Sequence, residues 1–253
     1  MSFLDEVIDP EQAPRHYDQG SEDWEQIRVG RFTSSEIYRL MGHGWRPMNE
    51  KELSERPKKG PGSRTTRVPD YTVLSEGADK YIDEKVAEIL TGQPKRQGYA
   101  YPLVWGKEQE PFAIELFQET FGLECTRVGF QTFTDHAGGS PDALIGESEG
   151  LEIKSPVNSE NQLDYLRLFH INDIKDNYPQ FYWQCVSLLL FTGRERWHFC
   201  TFDSRFINPK HRLTHLIFEA EKLKDEFDLI IRALENSVER KLQRIESINR
   251  IRQ

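Results

Sequence analysis

The chain has 253 residues, 37% hydrophobic and 11% aromatic, enough for one large domain or two small ones with a real core. Its 33 Lys and Arg stand against 42 Asp and Glu, a net charge of −9. This speaks against a general coating of nucleic acid but leaves room for an enzyme with a local basic channel. No apolar run approaches a membrane span and no signal peptide opens the chain. Cys125, Cys185 and Cys200 are too scattered for a zinc site or a disulfide frame, so an intracellular, reducing, cytoplasmic setting is the expectation.

Residues 1–19 are polar and Pro-bearing and read as an arm. Ser21 or Asp23 caps a short helix through Trp24 and Ile27, and Gly30 interrupts it. Thr33 or Ser34 opens a second helix carrying Ile37, Leu40 and Met41. Arg28, Arg31, Ser34 and Ser35 cluster at that start, either as an anion site or as plain capping beside surface arginines. Residues 43–69 are rich in Gly, Pro and charge. With Arg56, Lys58, Lys59, Arg64 and Arg67 they form the most basic segment, read as a flexible insertion that touches DNA phosphates or is simply solvated.

Ser75 to Leu90 is helical, with Ala78, Tyr81, Ile82, Val86 and Ile89 on one stripe. A further helix is expected from about Trp105 to Phe121, with Pro111 in its first turn. Glu110 falls on its apolar face, where it needs a partner such as a metal site, or else merely favours the helix dipole. Cys125 to Phe133 reads as one strand. Asp135 follows it as a candidate metal carboxylate or a turn residue, and His136 as a loop histidine.

The stretch from Gly139 to Pro156 carries the chemistry. Asp142 opens the apolar run Ala143 to Ile145, Gly146 to Gly150 reads as a hairpin loop, and Leu151 to Ser155 alternates as a strand. Pairing Ile145 with Leu151 puts Asp142, Glu152 and Lys154 on one face. Two close carboxylates repel unless a cation sits between them, and hard oxygen ligands suit Mg²⁺ or Mn²⁺. Such an ion acidifies a water and stabilises phosphate charge, and Lys154 is a mobile charge for the water or the phosphate. The trio reads as metal-assisted phosphodiester hydrolysis, or, more plainly, as a charged hairpin.

Beyond it, Asn161 to Phe169 is helical, and Asn177 to Thr192 is apolar nearly all round, a buried helix that brings Gln180 and Gln184 onto one face. Arg196 to Asp203 and Arg212 to Phe218 read as strands. A long helix spans residues 219–250, with Leu223, Phe227, Ile230, Leu234, Val238, Ile245 and Ile248 as its stripe.

Four segments in order, Trp24–Ile37, Trp105–Phe117, Ser140–Pro156 and Tyr178–Phe199, resemble the lambda-exonuclease (YqaJ-type) viral recombinase family of the PD-(D/E)xK nuclease superfamily. The resemblance implies a single α/β domain, a central mixed sheet flanked by helices on a restriction-endonuclease-like core. It implies Mg²⁺-dependent 5′→3′ digestion of duplex DNA, with two ions per site, a toroidal homotrimer, and a single-strand annealing partner in phage-type recombination. By matching, Asp142, Glu152, the Ile153 carbonyl and Asp135 take metal-ligand positions and Lys154 the catalytic lysine position, with Glu110 and Gln184 as accessory residues. Arg28 and Ser35 match residues that hold a DNA 5′-phosphate. The chain departs from the family at Glu160, where an arginine is expected, at Val186, where a second glutamine is expected, and in a longer region from Gly42 to Pro102. An endonuclease on the same core and a catalytically silent DNA-end scaffold remain as alternatives, whereas an iron–sulfur nuclease lacks its four cysteines.

Overall fold

The computed structural model describes residues 19–58, 60, 64–70, 73–95 and 101–251. The N-terminal arm, Lys59 and most of the 96–102 link therefore lie outside the described residues.

Ser21 caps helix α1 (Glu22–Ile27) by accepting from the Trp24 N–H. Strand β1 (Phe32–Thr33) follows, then Ser34–Leu40, which winds as a 3-10 helix rather than the expected α-helix. Where composition suggests a loop, the chain forms β2 (Gly44–Pro47), α2 (Glu50–Glu55) and β3 (Arg67–Asp70). The reason is local: Asn49 and Glu52 close a reciprocal capping box, and β2 pairs with β3. Helix α3 (Glu76–Thr91) starts on a Ser75 cap and ends at Gly92, whose φ of 66° few other residues adopt.

Helix α4 (Tyr101–Phe121) begins one turn earlier than expected, which puts Pro111 in its interior instead of its first turn. Pro111 and Lys107, whose carbonyl loses its helical donor, are both on the exposed side, where the missing bond costs least. The expected single strand from Cys125 splits. β4 (Cys125–Thr126) joins one sheet, while β5 (Gln131–Thr134) and β6 (Ala137–Gly139) join another.

β7 (Ala143–Ile145) and β8 (Glu149–Lys154) form the central hairpin, but Ile145 pairs with Glu149, not Leu151. The loop is correspondingly shorter, three residues from Gly146 to Ser148. A shift of two residues keeps every side chain on its original face, so the grouping of Asp142, Glu152 and Lys154 survives it. Helix α5 covers Ser159–Tyr165 only, and α6 (Ile171–Asn177) is a separate helix before α7 (Pro179–Thr192), with Pro179 at its first position. β9 (Arg196–Phe202) and β10 (Leu213–Glu219) precede α8 (Lys224–Ile251).

The main sheet has the order β10-β9-β8-β7-β4, with β8 and β9 parallel and the other pairs antiparallel. One face of β8 packs Leu151 and Ile153 against Ala113, Ile114 and Phe117 of α4. The other face lies under α7, where Gly150 leaves room for the Trp197 ring that a Cβ would strike. Among the described residues no helix is long and apolar enough to cross a membrane.

The stripe of α8 carries one surprise. Lys241 lies on it and is fully buried, donating to the Gly30 carbonyl at 2.7 Å and sitting 5.0 Å over the Phe32 ring. Burial, then Lys85 and Arg31, pull its ammonium down to about 8. A lysine depressed on folding penalises the native state while charged, so stability rises as pH climbs from about 8 toward the free value of 10.5. Chemical denaturation across that range should show a gain of up to about 3 kcal/mol in the native protein. Lys241→Met should flatten it, and equal slopes in the two proteins would refute the assignment.

Candidate active site

Asp142 is the residue immediately before β7 and stands across the hairpin from Glu152 of β8, extending the Ala143–Leu151 pairing by one step. Its Oδ2 accepts the Ile153 main-chain N–H at 2.6 Å. Glu152 is 1% exposed. Its Oε1 accepts both Lys154 Nζ at 2.5 Å and Gln184 Nε2 at 2.6 Å, so one strand and α7 converge on one oxygen. The second oxygen, Oε2, is buried with no hydrogen-bond partner among the described residues. An uncompensated carboxylate oxygen inside a protein is costly, and either protonation or a bound cation lowers the cost.

The electrostatics agree. Burial, and after it the Glu152 charge, push Asp142 well above the usual carboxylate range. Burial also raises Glu152, against the opposing pull of Lys154. Burial alone would lower Lys154, but Glu152 and Asp142 together hold its ammonium above the ordinary lysine value. Phe181 places its ring 5.3 Å from Lys154 Nζ, closing the apolar side.

Glu110 does not point into the apolar core as its spacing suggests. It is half-buried, ion-paired with Arg127, and lines a cavity of 290 Å³ together with Asp142, Lys107 and Gln19. It still acts on Asp142 and Glu152 through its charge. Asp135 is not brought into this group: it is exposed in the tight turn between β5 and β6. The whole of β6 then separates it from Asp142 in the chain. Among the described residues no three His, Cys, Asp or Glu side chains form a ready metal cage. An ion between Asp142 and Glu152 would therefore complete its shell with main-chain carbonyls and water, which hard cations accept. The orphaned Glu152 oxygen and the two mutually repelling carboxylates fit such an ion.

A second locus is tied to the first. Trp24 Nε1 donates to Ser140 Oγ at 2.8 Å and Gln19 Nε2 donates to the Pro141 carbonyl at 2.9 Å, fastening α1 to the segment that delivers Asp142. Arg28 closes α1 with its guanidinium 3.9 Å over the Trp24 ring. It faces a cavity of 710 Å³ shared with Glu36, Lys85 and Lys95. Burial lowers its pKa, outweighing Tyr81 and Glu36. Ser35 is exposed in the first turn of the 3-10 helix, its Oγ 3.4 Å from Thr33 Oγ1, and is outside the lining of that cavity. Glu160 is exposed in the first turn of α5. Sequence reading missed Lys107 and Arg127, which line the cavity beside Asp142 from α4 and from the β4–β5 link and leave no local pattern.

Residues 23–195 match the profile of the YqaJ-like viral recombinase domain. The chain belongs to the YqaJ-like viral recombinase family. No curated protein matches the sequence significantly. Among solved structures, the family member resembles an alkaline exonuclease from Laribacter hongkongensis at 21% identity, covering 91% of this chain and 97% of that one, with a TM-score of 0.65. A structure of that enzyme in complex with dAMP matches equally well. A phage-related exonuclease from Haemophilus somnus 129PT follows at 13% identity, with coverage of 85% and 96% and a TM-score of 0.58. At these identities the likeness is one of fold, and it agrees with the mixed sheet flanked by helices.

A buried acid raised on folding costs stability wherever it is ionised, above its unfolded value of 3.8. Asp142→Asn keeps the acceptor for Ile153 and removes the charge. In EDTA near neutral pH it should melt higher than the native protein. Mg²⁺ or Mn²⁺ should raise the melting temperature of the native protein and leave the variant unmoved. A variant that melts lower in EDTA, or responds equally to metal, would contradict this reading of the pair.

Proposed function

We propose that this recombinase-family protein is a metal-dependent exonuclease. It digests linear duplex DNA from its ends, 5′→3′, and leaves a 3′ single strand for recombination by annealing. The observation that carries the reading is the pairing of a half-buried Asp142 with a buried Glu152, whose Oε2 has no hydrogen-bond partner among the described residues and which has Lys154 alongside. We assign Asp142, Glu152 and the Ile153 carbonyl to Mg²⁺, with Mn²⁺ as a substitute and two ions per site as the family resemblance implies. Bound there, the metal supplies charge for the phosphate oxygens and acidity for a water.

The chain's own residues do the rest. Lys154 directs the attacking water or contacts the phosphate. Gln184 fixes the Glu152 rotamer, so that Oε2 remains the free ligand oxygen. Glu110, held by Arg127, adds negative charge at the rim of the site. Asp135 has no part in the assigned ion site. Arg28, a half-buried guanidinium stacked on Trp24 with Glu25, Glu36 and Glu88 acting on it only through their charge, is assigned to a terminal 5′-phosphate, with Ser35 on the adjacent turn. Assembly as a toroidal homotrimer and cooperation with an annealing protein in the host cytoplasm belong to the same proposal.

The test is digestion of end-labelled linear duplex in Mg²⁺, with closed circular DNA as control. Lys154→Ala should lower the rate by at least about 100-fold without loss of fold. Full activity in that variant would sink the mechanism, and cleavage of the circle would make the protein an endonuclease. Arg28→Gln should reduce the preference for 5′-phosphorylated over 5′-hydroxyl ends by about tenfold, the worth of one charge-assisted hydrogen bond. An unchanged preference would remove Arg28 from the assigned role.

A further inference from the structure

The β2–β3 ribbon carries a surface that the nuclease site does not use. Alternation along each strand sorts its side chains onto two faces. Gly44, Arg46, Val68 and Asp70 are the more buried set, and Arg46 ion-pairs there with Asp70 at 3.4 Å and with Glu52 at 2.7 Å. Trp45, Pro47, Arg67 and Pro69 are exposed, with Trp45 directly opposite Pro69 and Pro47 opposite Arg67. Trp45 is 48% exposed, its ring braced edge-on by His43 at 5.2 Å, and Arg67 is fixed beside it by donating to the Trp45 carbonyl at 2.8 Å.

The segment that contains this ribbon is basic. Residues 43–70 hold seven Lys and Arg against four Asp and Glu, the reverse of the balance in the whole chain. Three of the four acids are spent internally: Glu52 and Asp70 on Arg46, and Glu55 on Lys51. Arg56, Lys58, Arg64 and Arg67 have no acidic partner among the described residues. Pro47 and Pro69 each lack the N–H that an added β-strand would need, so the ribbon is poorly suited to capturing a peptide by strand pairing.

We propose that this face binds single-stranded DNA, with Trp45 stacking on an unpaired base and Arg56, Arg64 and Arg67 on the flanking phosphates. A flat, exposed aromatic ring with the Arg67 guanidinium fixed beside it suits a strand whose bases are free to stack, whereas a duplex hides its base faces within the helix. The proposal rests on the exonuclease reading for the origin of the strand, the one left after its complement is removed. The ribbon would hold that strand away from Glu152 and Lys154.

The test is fluorescence anisotropy of a labelled oligothymidylate, titrated with the full-length protein in excess EDTA so that nothing is cut. Trp45→Leu should weaken binding about tenfold. A combined Arg56→Gln, Arg64→Gln and Arg67→Gln variant should lower the slope of log affinity against log salt by about 2, at roughly 0.7 per phosphate. If the triple variant fails to fold by its melting curve, Arg64→Gln alone should lower the slope by about 0.7. Unchanged affinity and slope, or tighter binding of a blunt duplex that the variants abolish, would overturn the assignment. Digestion of linear duplex in Mg²⁺ by the same proteins reads the nuclease separately. Intact cleavage with unaltered oligothymidylate binding in the variants removes the surface alone. Absent cleavage by the native protein, with binding lost in the variants, removes the nuclease and keeps the surface.

Discussion

One unfavourable interaction organises the centre of this molecule: two carboxylates, a half-buried Asp142 and a buried Glu152, held against each other across a short hairpin. Neither is fully compensated by the protein. Asp142 has one main-chain donor, and Glu152 has two side-chain donors that both use the same oxygen. The strands are short, the loop of the hairpin is three residues, and α7 lies across the sheet to deliver Gln184. A fold that keeps such a pair buried carries a standing electrostatic cost, and groups raised in this way mark sites of chemistry more often than sites of structure.

The surrounding elements act as supports for that pair. Gly150 admits Trp197 against the strand that carries Glu152, and Leu151 and Ile153 anchor its opposite face on α4. Trp24 and Gln19 fasten the N-terminal segment to Ser140 and Pro141, so the position of Arg28 is coupled to that of Asp142. Trp105 donates to the Pro156 carbonyl while Arg205 stacks on its ring and reaches the same carbonyl, which pins the chain just beyond Lys154. Catalytic precision in the proposed mechanism comes from this second layer of contacts.

Much of the site was legible in the sequence because its logic is periodic. Asp142, Glu152 and Lys154 share a face under any even register, so the pairing shift from Leu151 to Glu149 did no harm. Gln184 was visible as a polar residue in a helix apolar all round. What escaped was information carried by distant partners. The break between β4 and β5 is set by two different sheets, which no local pattern records. Glu110 turns toward Arg127, a residue with no signal of its own. Asp135 fits the family's acidic position only with a shortened spacing to Asp142, and a tight turn leaves it on the surface. Lys241 sat in plain view on the α8 stripe, and only its burial shows that the helix is clamped to the Gly30 carbonyl.

The central claim is that a divalent cation belongs between Asp142 and Glu152. Localised oxidative cleavage tests it most directly: in air, Fe²⁺ with ascorbate generates oxidising radicals wherever the iron binds and cuts the polypeptide beside that site. Mass spectrometry of the fragments should find scission around Asp142 and around Glu152–Ile153, suppressed by excess Mg²⁺. Cuts elsewhere in the chain, or cuts at these positions that Mg²⁺ does not suppress, would contradict the account.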